Sequence, residues 1–376
     1  MMDFDVVTRE SEIGDLIEVW TQLATSAGRP YCLPQWGLNW WHNLAPAGAE
    51  LRIVVARDGS KVTGIAPFFA TRSRAGLTTF RLLAQGLAMP VEPVAEDAAK
   101  PDVARAFAGG LAGCSPGPDF IVFEGLADRS WPRLLADTWP QTRPLVHDDY
   151  IRRAPAVSRL DESLKEWLGT RSSNFRQQIR RNQRRLESLD VSIHRSTEDS
   201  DTTSEIDAFC RLHHSRWRDR GGSGVLTDAV ERMLRDSAPE LLACDALRLW
   251  FIRSGNEVIS SQLFLRAGGT LSYWLGGFDD AWAKYQPAQV TLLAAVEGAI
   301  ADGDRHIDLG YGEQLYKSRF ADSMTTLEWS TVVTRGSGYS KRRAAIAPRW
   351  TRRAISERVP PNLKTKINET LASLRR

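Results

Sequence analysis

The sequence predicts an α+β protein made of two related halves, with mixed, mostly antiparallel sheets flanked by helices. Two observations carry that reading. The first is an internal repeat: LRIVVARDGSKV at 51–62 aligns without a gap on LRLWFIRSGNEV at 247–258, at a constant offset of 196. Leu51, Arg52, Arg57, Gly59 and Val62 recur as Leu247, Arg248, Arg253, Gly255 and Val258. Each copy reads as strand, tight turn (Asp58-Gly59-Ser60; Ser254-Gly255-Asn256), strand, a β-hairpin by its turn chemistry and β-rich flanks. Both copies continue to an R-A-G turn, Arg74-Ala75-Gly76 and Arg266-Ala267-Gly268. Convergence of two unrelated hairpins is the bland alternative, and matching beyond the turn argues against it. The second observation is that helical patterns fall between antiparallel strands rather than in strict strand–helix alternation, which disfavours a doubly wound parallel sheet.

Taken in order, 15–27 and 39–43 read as helices, with Trp36, Trp40 and Trp41 filling core space. Gly113-Cys114-Ser115-Pro116-Gly117-Pro118 breaks the chain before a strand over 119–124. The stretch 152–161 reads as the passage between domains, followed by helices over 173–188 and 204–218. After the second hairpin come a strand over 270–275, a turn at Gly276-Gly277, a helix over 287–302 and a strand over 305–309. This divides the chain into 1–150, 151–336 and a tail, 337–376.

Composition bounds the function classes. At 376 residues, 42% hydrophobic and 25% charged, the chain has the profile of an ordinary globular protein of two or three domains. Runs such as Ile53-Val54-Val55-Ala56 and Leu249-Trp250-Phe251-Ile252 are too short to span a bilayer, and MMDFDVVTRE is not a secretory signal. Cys32, Cys114, Cys210 and Cys244 lie far apart with no C-x-x-C spacing. A disulfide framework or zinc site is therefore not expected, and a reducing cytoplasm is the simplest home. From Ser337 onward eleven Lys or Arg face only Glu357 and Glu369, a local +9 that leaves the first 336 residues at −6 within the chain's +3.

Three stretches could carry chemistry. In DLGYGEQLYKSRF, Asp308 ends a short strand that runs into glycines. A dinucleotide fingerprint needs G-x-G-x-x-G opening a helix, and here G-Y-G is followed by Glu313-Gln314 with no third glycine. What remains is a strand end with Asp308 and a turn with Glu313, Tyr316 and Lys317: a carboxylate, a phenol and an ammonium able to act as base, acid and electrostatic clamp. A solvated turn with a capping Asp is the alternative. The second stretch, Tyr285-Gln286-Pro287-Ala288-Gln289, opens a helix with proline at its first position, and the free amides at Ala288 and Gln289 make an anion site of the kind most helices own. The third is RSSNFRQQIRRNQRR, with Arg171, Arg176, Arg180, Arg181, Arg184 and Arg185 around an apolar face of Phe175, Ile179 and Leu186. It could grip the phosphates of a nucleotide, a polyphosphate carrier or RNA, or be a solvated basic face. His213 and His214 are adjacent on a helix and point about 100° apart, so they cannot chelate one metal together. Cys210 shares a face with His213, but no fourfold ligand set follows, so no metal is expected; one histidine could still face a cleft. G-x-S-x-G, P-loop and H-E-x-x-H motifs do not occur.

In order along the chain, the arginine-rich helix, FCRLHHSRWRDRGG (209–222), LRLWFIRSGNEVISSQLFL (247–265), SYWLGGFDDAWAKYQPAQ (272–289) and DLGYGEQLYK (308–317) resemble the GNAT acyltransferase superfamily. The resemblance is to its tandem-domain, cellulose-biosynthesis-type (CelD-like) branch, with Fem-type aminoacyl transferases as structural cousins. It covers about 150 residues. The first hairpin, with Ala66-Pro67-Phe68-Phe69, resembles the degenerate first domain of that branch. The resemblance implies that an amine attacks the thioester of acyl-CoA, in the first instance acetyl-CoA, between splayed central strands. It implies a backbone of Tyr273, Trp274 and Leu275 that polarises the thioester carbonyl, an oxyanion-type contribution. Gln286, Pro287, Ala288 and Gln289 would take the phosphates, Asp308 or Glu313 would be the base, and Tyr285 or Tyr316 the acid for the leaving thiolate. Arg176, Arg180, His213, Trp217 and Lys317 are the substrate-binding candidates, for a small amine, amino-sugar or polysaccharide-precursor acceptor. The family's pyrophosphate loop is glutamine- or arginine-rich with paired glycines, and this chain has Tyr285-Gln286-Pro287-Ala288-Gln289 instead. Fem-type cousins take aminoacyl-tRNA, so that donor stays open, as does a non-catalytic module that binds nucleotide or RNA through the arginine helix.

The tail falls outside the resemblance. Leu363, Ile367, Leu371 and Leu374 make an apolar stripe flanked by Lys364, Lys366, Arg375 and Arg376. A basic amphipathic helix of this kind can lie on an anionic membrane surface, dock on a protein partner or fold back on its own body. Oligomeric state is left open.

Overall fold

A computed structural model describes residues 2–160, 163–218, 221–312 and 315–358, with the backbone alone at 315 and 349–358. The first half lays down β1 (Asp3–Val7), helices α1 (Ile17–Ser26) and α2 (Pro34–Leu44), and the hairpin strands β2 (Glu50–Asp58) and β3 (Lys61–Arg72). It continues with β4 (Thr78–Leu82), β5 (Val94–Ala95), α3 (Lys100–Gly113), β6 (Phe120–Leu126), α4 (Trp131–Asp137) and the long strand β7 (Leu145–Val157). The second half follows with α5 (Leu164–Gly169), α6 (Ser173–Glu187), β8 (Val191–Arg195), α7 (Thr202–Trp217), α8 (Asp228–Ala243) and the hairpin β9 (Leu247–Ser254) and β10 (Glu257–Ala267). Then come β11 (Thr270–Phe278), α9 (Pro287–Ala301), β12 (His306–Asp308), α10 (Leu315–Phe320), β13 (Ser323–Val333) and α11 (Tyr339–Arg358).

The repeat is structural. In each half a first strand pairs antiparallel with the hairpin, the hairpin pairs antiparallel with a third strand, and that strand pairs parallel with a fourth: β1-β2-β3-β4-β6 and β8-β9-β10-β11-β12. Both hairpins even carry a bulge at the same place. Ala56 faces Gly64 while Arg57 faces Val62, and Ile252 faces Ser260 while Arg253 faces Val258, so Thr63 and Ile259 are the extra residues.

The halves are joined by their last strands. β7 and β13 pair antiparallel from Leu145↔Val333 to Ala156↔Ser323. The far end of β7 also pairs with β12 (Ala156↔Asp308), and the far end of β13 with β6 (Val333↔Phe120). Each half's sheet is thus extended by both long strands, and the described strands form one 13-stranded sheet in the order β1-β2-β3-β4-β6-β13-β7-β12-β11-β10-β9-β8, with β5 on β3. Two sequence expectations are corrected here. Residues 152–157 are not a passage between domains but the end of β7, and position 150/151 falls inside that shared strand. Gly276-Gly277 is not a turn but the interior of β11: at Gly277 α7 lies so close to the strand that only hydrogen fits, and at Gly276 the crowding comes from Gln262, Ser261 and Tyr273.

Local chemistry explains the helices that frame the site. α6 is capped by Ser172, whose Oγ accepts from the Phe175 amide at 3.2 Å, and α7 by Asp201, which accepts from the Ser204 amide at 3.1 Å. α9 (PAQVTLLAAVEGAIA) is apolar almost all round, and it is buried from Val290 to Val296 between α6 and the sheet. The core is continuous across the halves: Trp36 packs edge-on against Trp274 at 5.4 Å between centroids, and the Asn39 amide donates to Glu240 at 3.0 Å.

α11 folds back on the first half. Ile346 is buried with Leu77, Phe120, Val122 and Val333, Arg342 pairs with Asp119, and Lys341 Nζ donates to the Ala75 carbonyl at 2.7 Å. The Leu363–Leu374 stripe lies outside the described residues. No helix among the described residues is long and apolar enough to cross a membrane.

Candidate active site

The site begins where two parallel strands part. β11 and β12 pair only from Thr270↔His306 to Ser272↔Asp308. β11 then runs on to Phe278, while β12 ends at Asp308 and the chain turns at Gly310. β11 carries a bulge just beyond this pairing: Leu275 faces Leu263 and Tyr273 faces Phe264, so Trp274 is the extra residue. Its indole serves the fold, donating to the Leu87 carbonyl at 3.0 Å and packing on Trp36 and Phe209.

α7 is pressed against the same strand. A Cβ at Gly277 would sit 2.5 Å from the His213 amide nitrogen, so glycine is required for this approach. His213 then clamps the contact, with Nδ1 3.2 Å from the Gly276 carbonyl and Nε2 2.9 Å from Ser223 Oγ. Burial of the ring lowers its pKa to about 4, so it is neutral, donating from Nδ1 and accepting at Nε2. Both nitrogens are occupied within the protein, and Trp217 stacks beside the ring at 6.1 Å. Neither residue lines the cleft described next.

α10 carries two of the candidate residues, Tyr316 and Lys317. The Tyr316 and Tyr273 hydroxyls are hydrogen-bonded to each other, and burial pushes both phenols up. Lys317 Nζ lies 4.1 Å from the centroid of the Tyr273 ring. Burial lowers the Lys317 ammonium to about 8, with Asp308 as the opposing influence. Asp308 is only 4% exposed, and burial raises its carboxyl even though the Gly310 amide donates to Oδ1 at 2.8 Å. On its other side stands Tyr31 of the first half, whose hydroxyl donates to the Ser272 carbonyl at 3.1 Å. Glu313, the other candidate base, lies outside the described residues.

Above Tyr316 opens a cavity of about 670 Å³, lined by Gln178, Arg181, Asn182 and Arg185 of α6, Arg216, Lys284, Gln286, Gln289, Tyr316 and Arg319. Among the described residues five cations and no carboxylate line it, so its electrostatics favour an anion. Gln286 adopts a left-handed backbone, φ 55°, to start α9, whose first turn therefore faces this cleft. A second cavity of about 440 Å³ shares Gln178 and Arg319 with the first and extends toward Arg171 and Ser172.

The expected phosphate segment is partly in place: Gln286 and Gln289 line the cleft. Tyr285 does not; its ring packs beside Trp282 and under the Arg185 guanidinium at 5.2 Å, which removes it from the reacting centre. Arg176 and Arg180 also miss the cleft. Arg176 donates to the Gly169 and Arg171 carbonyls at 3.1 and 2.6 Å, and Arg180 is exposed. The face that does line it is 178-181-182-185. Phe175, Ile179, Asn182 and Leu186 form a single buried row; the asparagine in that row is the one local hint, and which flank is open is not encoded locally.

Residues 173–318 match a family model described as an acetyltransferase (GNAT) domain. Three solved structures resemble the whole chain in fold. FemX has a TM-score of 0.64 at 10% identity, covering 91% of this chain and 99% of its own. The C-terminal domain of a putative lysylphosphatidylglycerol synthetase from Agrobacterium fabrum has 0.55 at 9%, covering 88% and 96%. The structure of L-PGS from Bacillus licheniformis has 0.53 at 11%, covering 88% and 94%. No curated protein matches by sequence. Among the described residues no cluster of His, Cys, Asp and Glu could hold a metal ion.

Proposed function

We propose that this chain is an acyl-CoA-dependent transferase, using acetyl-CoA or a related thioester to acylate an amine or hydroxyl of a small acceptor. An amino sugar or polysaccharide precursor is the acceptor class favoured by the motif order of the cellulose-biosynthesis-type branch. The observation that carries the reading is the cleft, lined among the described residues by five cations and no carboxylate, that ends on the Tyr316–Tyr273 pair where β11 and β12 part. Arg181, Arg185, Lys284 and the start of α9 hold the phosphates, and the thioester reaches down to Tyr316. The acceptor nitrogen bonds to the acyl carbon as the carbon–sulfur bond breaks. Tyr316 supplies a proton to the departing thiolate, and Asp308, made more basic by burial, takes the proton that the amine gives up. Lys317 is largely protonated at neutral pH and offsets negative charge as it develops on the carbonyl oxygen.

One observation favours a second donor. The two cavities share Gln178 and Arg319, and their combined lining, six cations against Asp322 among the described residues, is longer than one pyrophosphate needs, which suits the end of an aminoacyl-tRNA, the donor of Fem-type cousins. Calorimetric titration with acetyl-CoA, free CoA and a mixed tRNA pool tests both. Saturable acetyl-CoA binding, weakened in Arg185→Ala, supports the first reading. Tight, steeply salt-dependent tRNA binding without CoA binding replaces it with the second.

A further inference from the structure

We infer that Asn182 reads the arm of the donor: its side-chain amide donates to a neutral carbonyl on the chain that links the phosphates to the reacting thioester. The inference rests on the acyl-CoA reading and assigns a specificity residue within that cleft. Asn182 lines the cavity, is 2% exposed, and its Nδ2 has no hydrogen-bond partner among the described residues. A buried amide without a partner is costly, whereas leucine would continue the row of Phe175, Ile179 and Leu186 without that cost. An asparagine at this position is explained by an acceptor that arrives with the ligand.

The chemistry of that acceptor follows from where Asn182 sits. It is one helical turn, about 5 Å, from Arg185 at the phosphate end and one turn from Gln178. Gln178 accepts from Arg319 at 2.8 Å, and Arg319 lies three residues beyond Tyr316. Asn182 therefore sits on the cleft wall between Arg185 and Gln178, next to Arg181, as a neutral buried amide among these cations. Phosphate is drawn to the charged guanidinium and ammonium groups, not to a neutral desolvated amide. A neutral amide carbonyl suits Asn182, and the pantetheine arm of coenzyme A carries two amides between its phosphates and its sulfur.

The test is calorimetric binding of coenzyme A and of adenosine 3′-phosphate 5′-diphosphate, which has the same phosphates and no arm, to wild type, Asn182→Ala and Asn182→Leu. Wild type is expected to prefer coenzyme A. Both variants should lose about tenfold in coenzyme A affinity and keep their affinity for the armless nucleotide. Asn182→Leu should also melt at or above the wild-type temperature, because it fills the site and removes the orphan amide. Equal weakening of both ligands, no weakening of either, or a wild type without preference for coenzyme A would overturn the role of Asn182. A wild type that binds neither ligand overturns the acyl-CoA reading itself, a result distinct from the others.

Discussion

Tyr316 and His213 show how burial can serve chemistry in one residue and structure in another. Tyr316 faces the cleft with its hydroxyl held by Tyr273, and in the proposed reaction it delivers a proton. Tyr316→Phe should therefore lower kcat by about 100-fold or more while the KM for the donor changes little. A matched loss in KM would mean that the phenol only binds. His213 is neutral because burial disfavours its charged form, with a folded value of about 4 against 6.5 for an unperturbed ring. The unfolded chain thus holds the extra proton between those values, and stability rises with pH across that window. The stabilisation is fully present above about pH 6.5 and is lost as pH falls toward 4, at most about 3 kcal/mol. Chemical denaturation from pH 7 to 4.5 should show this slope in wild type and a shallower one in His213→Gln.

At the scale of elements, the site depends on how tightly α7 rides on β11. A methyl group at Gly277 would meet the Leu212 carbonyl carbon and the His213 nitrogen, both backbone atoms, at 2.5 Å, so the helix must move. Gly277→Ala should cost about 1–3 kcal/mol by overpacking and should also lower donor affinity, since Arg216 at the end of α7 lines the cleft. Denaturant midpoints measure the first effect and calorimetry the second; unchanged midpoints would show that α7 can shift at no cost. The arginine helix α6 makes the complementary point. Its buried row orients the whole helix, so moving an arginine by one position takes it from the cleft to solvent or to a backbone carbonyl, as Arg180 and Arg176 show beside Arg181.

At the scale of the molecule, the exchange of β7 and β13 makes the halves interdependent. Residues 1–157 alone would lack β13, leaving the inner edge of β6 unpaired, and residues 158–358 would lack β7 beside β12. Neither half should unfold cooperatively in isolation, whereas the full chain should show one calorimetric transition; two independent transitions would contradict this. The R-A-G turn of the second half tightens the coupling. Gly268, at φ 58°, packs on the end of α1, where a Cβ would lie 1.8 Å from the Thr25 carbonyl oxygen.

The hairpins, the two-half plan, α9 with its proline start and the placement of Asp308 at a strand end were determined by the sequence itself. They rest on local rules: turn residues, β-branched runs, and an apolar helix that has to be buried. The cleft-lining side of α6 was half legible, because Phe175, Ile179 and Leu186 set its phase but only the packed neighbours show which flank is open. Tertiary structure alone decided the rest. β7 and β13 carry little apolar alternation because each serves both halves, and Gly276-Gly277 looks like a turn until α7 is seen lying on it. Lys317 and Asp308 acquire their altered proton affinities only from burial, which no run of neighbouring residues encodes. The approach of Tyr31 to Ser272, across 241 positions of chain, exists only because the two halves share one sheet and one core.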